Sequence, residues 1–578
     1  MGTISDKLMR IINTKEDIRQ ALISKGYDVP TSIPFKEYAK MISDLPCRVD
    51  SFPDIEGIVA RYSALGLTNE QMAENPVWKD LTDNGHDLQM KNLAWKGMSG
   101  VGGYVGDFSK WVNNRDTTEI GITKSNSKVI IDVKVSQGSG KNIVFISKSN
   151  LGISNNVTIK ITSTYPEGVM KFANSASNKY LKLPSNGIIT LQDNSEYTSN
   201  EMHLHLASAD LGQITIEQLP LYPGALVFDG VDDYGVCENF PILTKEKGYT
   251  VVALRQWDQD FLNTTLTGGL LSTRNYSTGE GVAFEKIESS NKGYWNLGAG
   301  GIIDFAKSPF TWQTSKQYNN VGILKGDKNH GKPLCVGCGL SGGQQCGRFA
   351  IWELVFLDHD ATEEELTKIK DYFVKTYPWL FPDQAWTVVG KTNEDEDRAT
   401  IANITGNGND LVCLNWGFIE GSGYNEEGEY AGYLVTDGVD DKITSSTFEM
   451  GNDWTVIGDW ELINTGKKDN AGIVKFDSIV IYNYNPILIN IKNGRNNLIP
   501  DQNTVNAICS DGRIYSKDWK ESIYNEETES TSKNLLTIGY SGNSYTKIAF
   551  KNLAIYPTVL SKEDCIKAYN YLQTLKSK

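Results

Sequence analysis

One short phrase occurs twice in this chain, and it constrains the fold more than any other feature. Residues 227–234 read Val-Phe-Asp-Gly-Val-Asp-Asp-Tyr, and residues 435–442 read Val-Thr-Asp-Gly-Val-Asp-Asp-Lys. An earlier phrase recurs in the same order. Thr82-Asp83-Asn84-Gly85-His86-Asp87-Leu88 answers to Thr405-Gly406-Asn407-Gly408-Asn409-Asp410-Leu411. Repetition over this span marks a duplicated domain, not a solenoid unit of a few dozen residues. The early phrases are offset by 323 positions and the later ones by 208. The first copy therefore carries extra material of about 115 residues between Gly100 and Gly224. Insertions of that size are tolerated where a loop's two ends lie close together, so a small domain threaded into the first copy is expected.

The 578 residues suggest roughly three to five domains at about 100–200 residues each. Glycine (54) and tyrosine (27) are plentiful and helix-forming runs are few, which favours short strands joined by turns. No run approaches the roughly 18 apolar residues of a membrane span. Met1 to Lys15 shows no apolar signal core. The net charge of −15 and the lack of a Lys/Arg cluster argue against nucleic-acid binding. With eight cysteines and no secretory signal, reduced thiols are expected.

Residues 4–45 read as two short helices. Asn13 or Thr14 caps the first, Glu16 and Asp17 lie in its first turn, and it ends at Gly26. The second runs from Phe35 through Tyr38 to Ile42. Such a pair cannot bury much surface alone and should dock either on the rest of the chain or on another protein. Val59–Tyr62 and Leu88–Trp95 read as strands, with a turn-rich link from Asn75 to Gly85. Segments 126–135, 142–148, 156–163, 186–192 and 212–218 tend to alternate apolar and polar residues between Gly and Asn breaks. That pattern predicts an inserted all-β sandwich. Further strands are expected at Tyr249–Trp257, Phe349–Phe356 and Lys551–Tyr556. The two apolar strands that close the copies each precede a helix opened by acidic residues, near Glu363 and near Ser561–Asp564.

This order of elements and phrases resembles the concanavalin A-like, laminin-G-type lectin/glucanase superfamily. The resemblance covers 54–103 plus 224–380, and again 384–578. It implies a mainly β fold: two jelly-roll sandwiches, the first interrupted by a smaller β-sandwich at 104–223, with a helical leader at 1–46. The leader, through Asn13-Thr14-Lys15, Lys25-Gly26 and Phe35-Lys36-Glu37-Tyr38-Ala39, resembles segments that open many phage tail and fibre proteins. Together the resemblances imply a non-enzymatic virion protein, a tail fibre or other appendage, presenting lectin-like domains to host-surface glycans. Its implied partners are other phage virion proteins, contacted through residues 4–45, and a host glycan. Homo-oligomers, a trimer among them, suit such appendages, and neither nucleic acid nor membrane is an expected partner. A tailspike depolymerase, a bacterial surface adhesin and a head fibre stand as alternatives.

Asp229, Asp232 and Asp233, with Asp437, Asp440 and Asp441, are the candidate calcium ligands, since related lectin-like domains often hold that ion. Asp-Gly followed by Val is equally a turn signal, and no EF-hand spacing accompanies it; the expectation is therefore no obligate cofactor. Cys335-x-x-Cys338 with Cys346 has zinc-like spacing. However, Leu334-Cys335-Val336-Gly337-Cys338 aligns with Leu536-Thr537-Ile538-Gly539-Tyr540, so these read as strand positions that need no metal. The Glu-x-Asp-x-Glu run of the superfamily's glycosidases is missing, so no catalytic residues are expected. Glu394–Asp397 reads as a solvated turn, His203 and His205 as a strand pair, and Gly339-Leu340-Ser341-Gly342-Gly343 as a glycine-rich turn. Trp257, Tyr276, Trp295, Trp312, Trp460, Tyr482, Tyr484 and Tyr515 are the aromatic candidates for sugar contact, against the ordinary reading of each as core.

Overall fold

A computed structural model describes residues 52–110, 120–135, 157–166, 170–174, 179–191, 202–206, 211–243, 248–262, 264–273, 333–340, 344–427, 430–463, 505–516, 519–523, 534–541 and 544–577, with Lys15, Arg19 and short strands between these ranges. The chain is mainly β. It groups into two compact units, residues 1–56 with 362–376, and residues 57–361 with 377–578. In the first unit Lys15 and Arg19 are helical, within the first expected helix; the rest of the leader lies outside the described residues. Its helix Glu363–Thr376 opens with three glutamates, and Tyr372 meets Phe52 edge-on at 5.0 Å.

The second unit contains the duplication as two pairs of sheets. In the first copy, one sheet runs Val321–Ile323, Thr250–Trp257, Arg348–Leu357, Leu226–Asp229, Gly100–Val101, with Ile58–Ser63 also pairing to Arg348–Leu357. In the second, the matching sheet runs Val505–Cys509, Thr455–Leu462, Ile548–Tyr556, Leu434–Val435, Gly423–Tyr424, with Gln384–Thr387 on Ile548–Tyr556. Two further strands, Arg513–Ser516 and Glu521–Ile523, extend it beyond Val505–Cys509. The facing sheets also match, from Val77–Trp78 through Ile302–Asp304 in one copy and from Thr400–Ile401 through Arg495–Ile499 in the other. Even the register irregularity recurs, at Leu254/Arg255 and at Asp459/Trp460.

The first repeated phrase builds the same loop twice. Asp80 Oδ1 accepts from the backbone of Arg61 (3.1 Å) and the hydroxyl of Thr82 (2.8 Å). Asn403 Oδ1 accepts from Ala385 N (3.2 Å) and Thr405 Oγ1 (2.9 Å). Asp87 and Asp410 each accept the backbone N–H seven residues earlier, at 3.0 and 2.8 Å. These side chains replace backbone partners that a loop cannot supply, which is what the phrase encodes.

Each copy has its own apolar core, one around Trp78, Phe228, Trp257 and Phe356, the other around Trp386, Trp454, Trp460 and Phe550. Thr250–Trp257 is buried at every position, so both faces of that sheet are covered. The link 75–85 contains an edge strand, Val77–Trp78, and is preceded by a helix at Asn69–Glu74 that Thr68 caps. The closing helix Lys562–Leu572 has Ser561 as its cap, accepting from Asp564 N at 3.1 Å.

The inserted segment forms a five-stranded sheet in the order Asn186–Leu191, Val157–Ser163, Gly212–Gln218, Lys128–Val133, Ile120–Lys124, and a three-stranded sheet, Lys179–Lys182, Met170–Asn174, Met202–Leu206. Lys128–Val133 buries alternate residues, and its core centres on Ile131, Ile159, Ile161 and Ile214. The segment's ends are adjacent: Leu221 N donates to Gly103 O at 3.0 Å, and Tyr222 N to Gly102 O at 2.8 Å.

Candidate functional site

The second repeated phrase is a turn in each sandwich, between the adjoining strands Leu226–Asp229 and Tyr234–Cys237 and between Leu434–Val435 and Lys442–Phe448. In the first copy Val231 N donates to Asp229 Oδ1 at 2.7 Å, and Asp229 N to Asp233 Oδ2 at 2.9 Å. In the second, Val439 N donates to Asp437 Oδ1 and Asp437 N to Asp441 Oδ2, both at 2.7 Å. Gly230 and Gly438 hold φ of +78° and +77°, the left-handed region that glycine enters without cost. A neighbouring loop braces each turn from the side. Asn92 Nδ2 donates to Asp232 O and Asn415 Nδ2 to Asp440 O, each at 3.0 Å. Ser99 Oγ donates to Asp233 Oδ1 at 2.9 Å in the first copy.

Each turn gathers three carboxylates whose oxygens lie within 4.8 Å of one another: Asp229, Asp232 and Asp233 in one, Asp437, Asp440 and Asp441 in the other. Burial pushes the Asp233 carboxyl up to about 6, with Asp229 and Asp232 adding to the rise against the Asp229 N–H and Ser99. Asp441 is pushed up to about 6 in the same way, burial first, then Asp437 and Asp440. The donor set has the hard-oxygen chemistry of a calcium site. Four of these oxygens also accept hydrogen bonds that shape the turns: Asp229 Oδ1 and Asp233 Oδ2 in one copy, Asp437 Oδ1 and Asp441 Oδ2 in the other. At the apex of each turn the valine faces solvent: Val231 is 74% exposed and Val439 71%.

The aromatic candidates divide. Trp257 (2% exposed), Trp460 and Tyr515 (both 0%) are corrected from sugar contacts to packed residues, because no ring face reaches solvent. Trp257 stacks on Phe261 at 6.0 Å, and Trp460 belongs to the second core. Trp295 and Tyr482 end the strands Lys292–Trp295 and Ile479–Tyr482; their side chains, and Tyr276, Trp312 and Tyr484, lie outside the described residues. His203 and His205 sit opposite Ala173 and Lys171 in strand register, and their side chains are likewise outside. Glu394–Asp397 forms a turn in which Lys391 Nζ reaches Asp397 Oδ1 at 3.0 Å. Cys335, Cys338 and Cys346 are buried together beside Tyr234 and Val236.

Two features escaped the sequence reading. One is the pair of apex valines. The other is an aromatic row in the second copy, with half-buried Phe418 between half-buried Trp416 and buried Tyr424, each 6.2 Å away, and the Arg398 guanidinium 5.3 Å above its ring. The signal for the row was Trp416-Gly-Phe418 standing where the first copy has Leu93-Ala-Trp95.

No protein-family model matches the chain, and no curated protein matches it. Among solved structures, the receptor-binding domain of botulinum neurotoxin D overlaps 58% of this chain and 89% of its own, at 12% identity and a TM-score of 0.22. Trypanosoma rangeli sialidase in complex with sialic acid overlaps 79% and 85%, at 8% identity and a TM-score of 0.25. The ligand-binding domain of botulinum neurotoxin serotype D in complex with N-acetylneuraminic acid overlaps 68% and 96%, at 10% identity and 0.23. At these scores the matches transfer neither ligand nor activity to this chain.

Proposed function

We propose that the chain is a non-enzymatic structural protein of a phage particle, anchored through its leader and presenting two lectin-like sandwiches to glycans on the host surface. The observation that supports this most is the duplicated acidic turn. Both copies keep an exposed valine at the apex, a position where turns favour small polar residues. Carboxylates can accept hydrogen bonds from sugar hydroxyls, and the valine can pack on the apolar face of a ring. Two weak sites on one chain gain by acting together, since the second contact becomes intramolecular. The resemblance of the leader to phage tail and fibre proteins supports the particle as the place of attachment.

The test is binding of the labelled full chain to host cells and to their isolated surface polysaccharides, with reducing ends measured in the same samples. Saturable binding lost in a Val231→Asp/Val439→Asp variant, with no release of reducing ends, is expected. Absence of binding overturns the adhesive reading. Sustained release of reducing ends makes the chain a depolymerase instead.

A further inference from the structure

The two copies differ at one hairpin in a way that bears on the chemistry of two cysteines. In the first copy Cys338 and Cys346 are directly opposed on antiparallel strands, Cys338–Leu340 and Gln344–Cys346. One residue outward, Gly347 N donates to Gly337 O at 2.9 Å. In an antiparallel ladder hydrogen-bonded and non-hydrogen-bonded pairs alternate, so Cys338 and Cys346 occupy the closer, non-hydrogen-bonded type of site, with Cα atoms about 4.5 Å apart. That separation is at the short end of the range a disulfide spans, about 4.4–6.8 Å.

The second copy has the same hairpin: Thr546 N donates to Gly539 O at 2.9 Å. The next residues inward, Tyr540 and Tyr545, are opposed in register and their rings pack at 4.8 Å. A tyrosine pair thus holds the second hairpin where a thiol pair stands in the first. Cys335 is buried in the same cluster. The three thiols do not converge as a metal site: the two aspartate triads are the groups that do so among the described residues.

We propose that Cys338 and Cys346 are a disulfide-forming pair, an oxidisable clasp that closes the first copy's hairpin covalently. The hairpin abuts the acidic turn: a Cβ on Gly337 would lie 2.7 Å from Asp233 O, so fixing the hairpin also stiffens the base of that turn. The oxidant is a low-molecular-weight disulfide. One cysteine thiolate attacks a sulfur of the reagent and expels one thiolate. The second cysteine attacks the resulting mixed disulfide and expels the other. The two cysteines lose two protons and two electrons; the reagent gains both as two free thiols. Burial, with Cys338 and then the neighbouring aspartates, pushes the Cys346 thiol up to about 12, so the exchange is slow at neutral pH and speeds as pH rises.

The test uses the full chain incubated with bis(2-hydroxyethyl) disulfide at pH 7 and pH 9, followed by non-reducing peptide mapping and thermal unfolding. The expected result is one peptide pair joining Cys338 to Cys346, formed several-fold faster at pH 9. The midpoint of unfolding should rise by roughly 2 °C or more, reversibly on reduction. The Cys338→Tyr/Cys346→Tyr variant, which installs the second copy's pair, should fold and show neither the link nor the rise. The idea is overturned if the wild type ends in mixed disulfides alone, or keeps both thiols while an unfolded control oxidises. A link from Cys335, or one between Cys509 and Cys565, in place of the expected pair overturns it too.

Discussion

Tyr377 donates its hydroxyl proton to Glu353 Oε1 across 2.8 Å, and both residues are buried. The other side of the same carboxylate receives the Arg61 guanidinium as a fork, Nε to Oε2 and Nη2 to Oε1, both at 3.2 Å. Glu353 has no solvent exposure, and burial raises its carboxyl despite Arg61 and Tyr377. The network ties three distant parts of the second unit: the first strand, the last strand of the first copy, and the segment leading to the second copy. The second copy has Asn552 at the matching place, so this is a device of the first alone.

Breaking that network should be costly because it strands a buried charge. Glu353→Ala is expected to lose about 3–5 kcal/mol, the usual cost of removing one member of a buried pair. Tyr377→Phe should lose about 1.5–3 kcal/mol, the usual worth of one hydrogen bond to a charged group. Chemical denaturation of both variants measures this. Losses below about 0.5 kcal/mol would show the pair to be dispensable.

The acidic turns predict a pH effect with a definite sign. Asp233 and Asp441 have folded values of about 6, above the unfolded carboxylate value. Their contribution is therefore complete below the unfolded value near 4 and is lost as pH rises through about 6. Relative to Asp233→Asn/Asp441→Asn, the wild type should gain stability when acidified from pH 7.5 to pH 5. Parallel melting profiles for the two proteins across that window would contradict the assignment.

The same turns should fold without metal, since their oxygens already accept the N–H groups of the loop. Thermal midpoints in EDTA and in millimolar calcium are expected to agree within about 2 °C. A larger rise with calcium that saturates, and that Asp232→Asn or Asp440→Asn removes, would reassign the triads as ion sites, by the linkage between binding and stability.

The inserted segment should be separable. Its ends meet at Gly103 and Leu221, whereas Tyr222 belongs to the host: its ring lies 6.4 Å from Trp352, whose indole N–H donates to Pro223 O at 2.9 Å. Replacing 104–221 by a short glycine-serine linker should leave the rest cooperatively folded. Loss of the unfolding transition would show that the insert is part of the host's core.

Much of this architecture was legible because side chains that build loops leave a local signature. The Asn-Gly-x-Asp and Asp-Gly-Val-Asp-Asp phrases encode turns whose donors and acceptors lie within a few residues, so their repetition revealed the duplication. The offset between them placed the first copy's extra material between Gly100 and Gly224. Exposure was not legible, since alternation looks the same for Trp257 in a fully covered sheet as for a residue on an open one. The six-residue helix Asn69–Glu74 is too short to show a period. The Arg61–Glu353 pair spans 292 positions and carries no local mark. The apex valines carried no mark of their exposure beside the acids around them.

The last prediction concerns how the two copies move together. Tyr571, on the closing helix of the second copy, meets Trp352 of the first copy edge-on at 6.1 Å. Three residues on, Thr574 Oγ1 accepts from Gln256 Nε2 at 3.1 Å, and Lys576 pairs with Asp260. Tyr556 Oη donates to Trp379 O at 2.9 Å, so the connecting segment is held as well. Aromatic edges and hydrogen bonds at one seam should make the copies melt as a single unit. Calorimetry of the full chain should then show one transition for both. A Tyr571→Ala/Gln256→Ala variant should split it, with the first copy melting at lower temperature because Trp352 loses its partner ring and the Gln256–Thr574 bond is gone. Two resolved transitions in the unaltered protein, unchanged by those substitutions, would show that the seam transmits no stability.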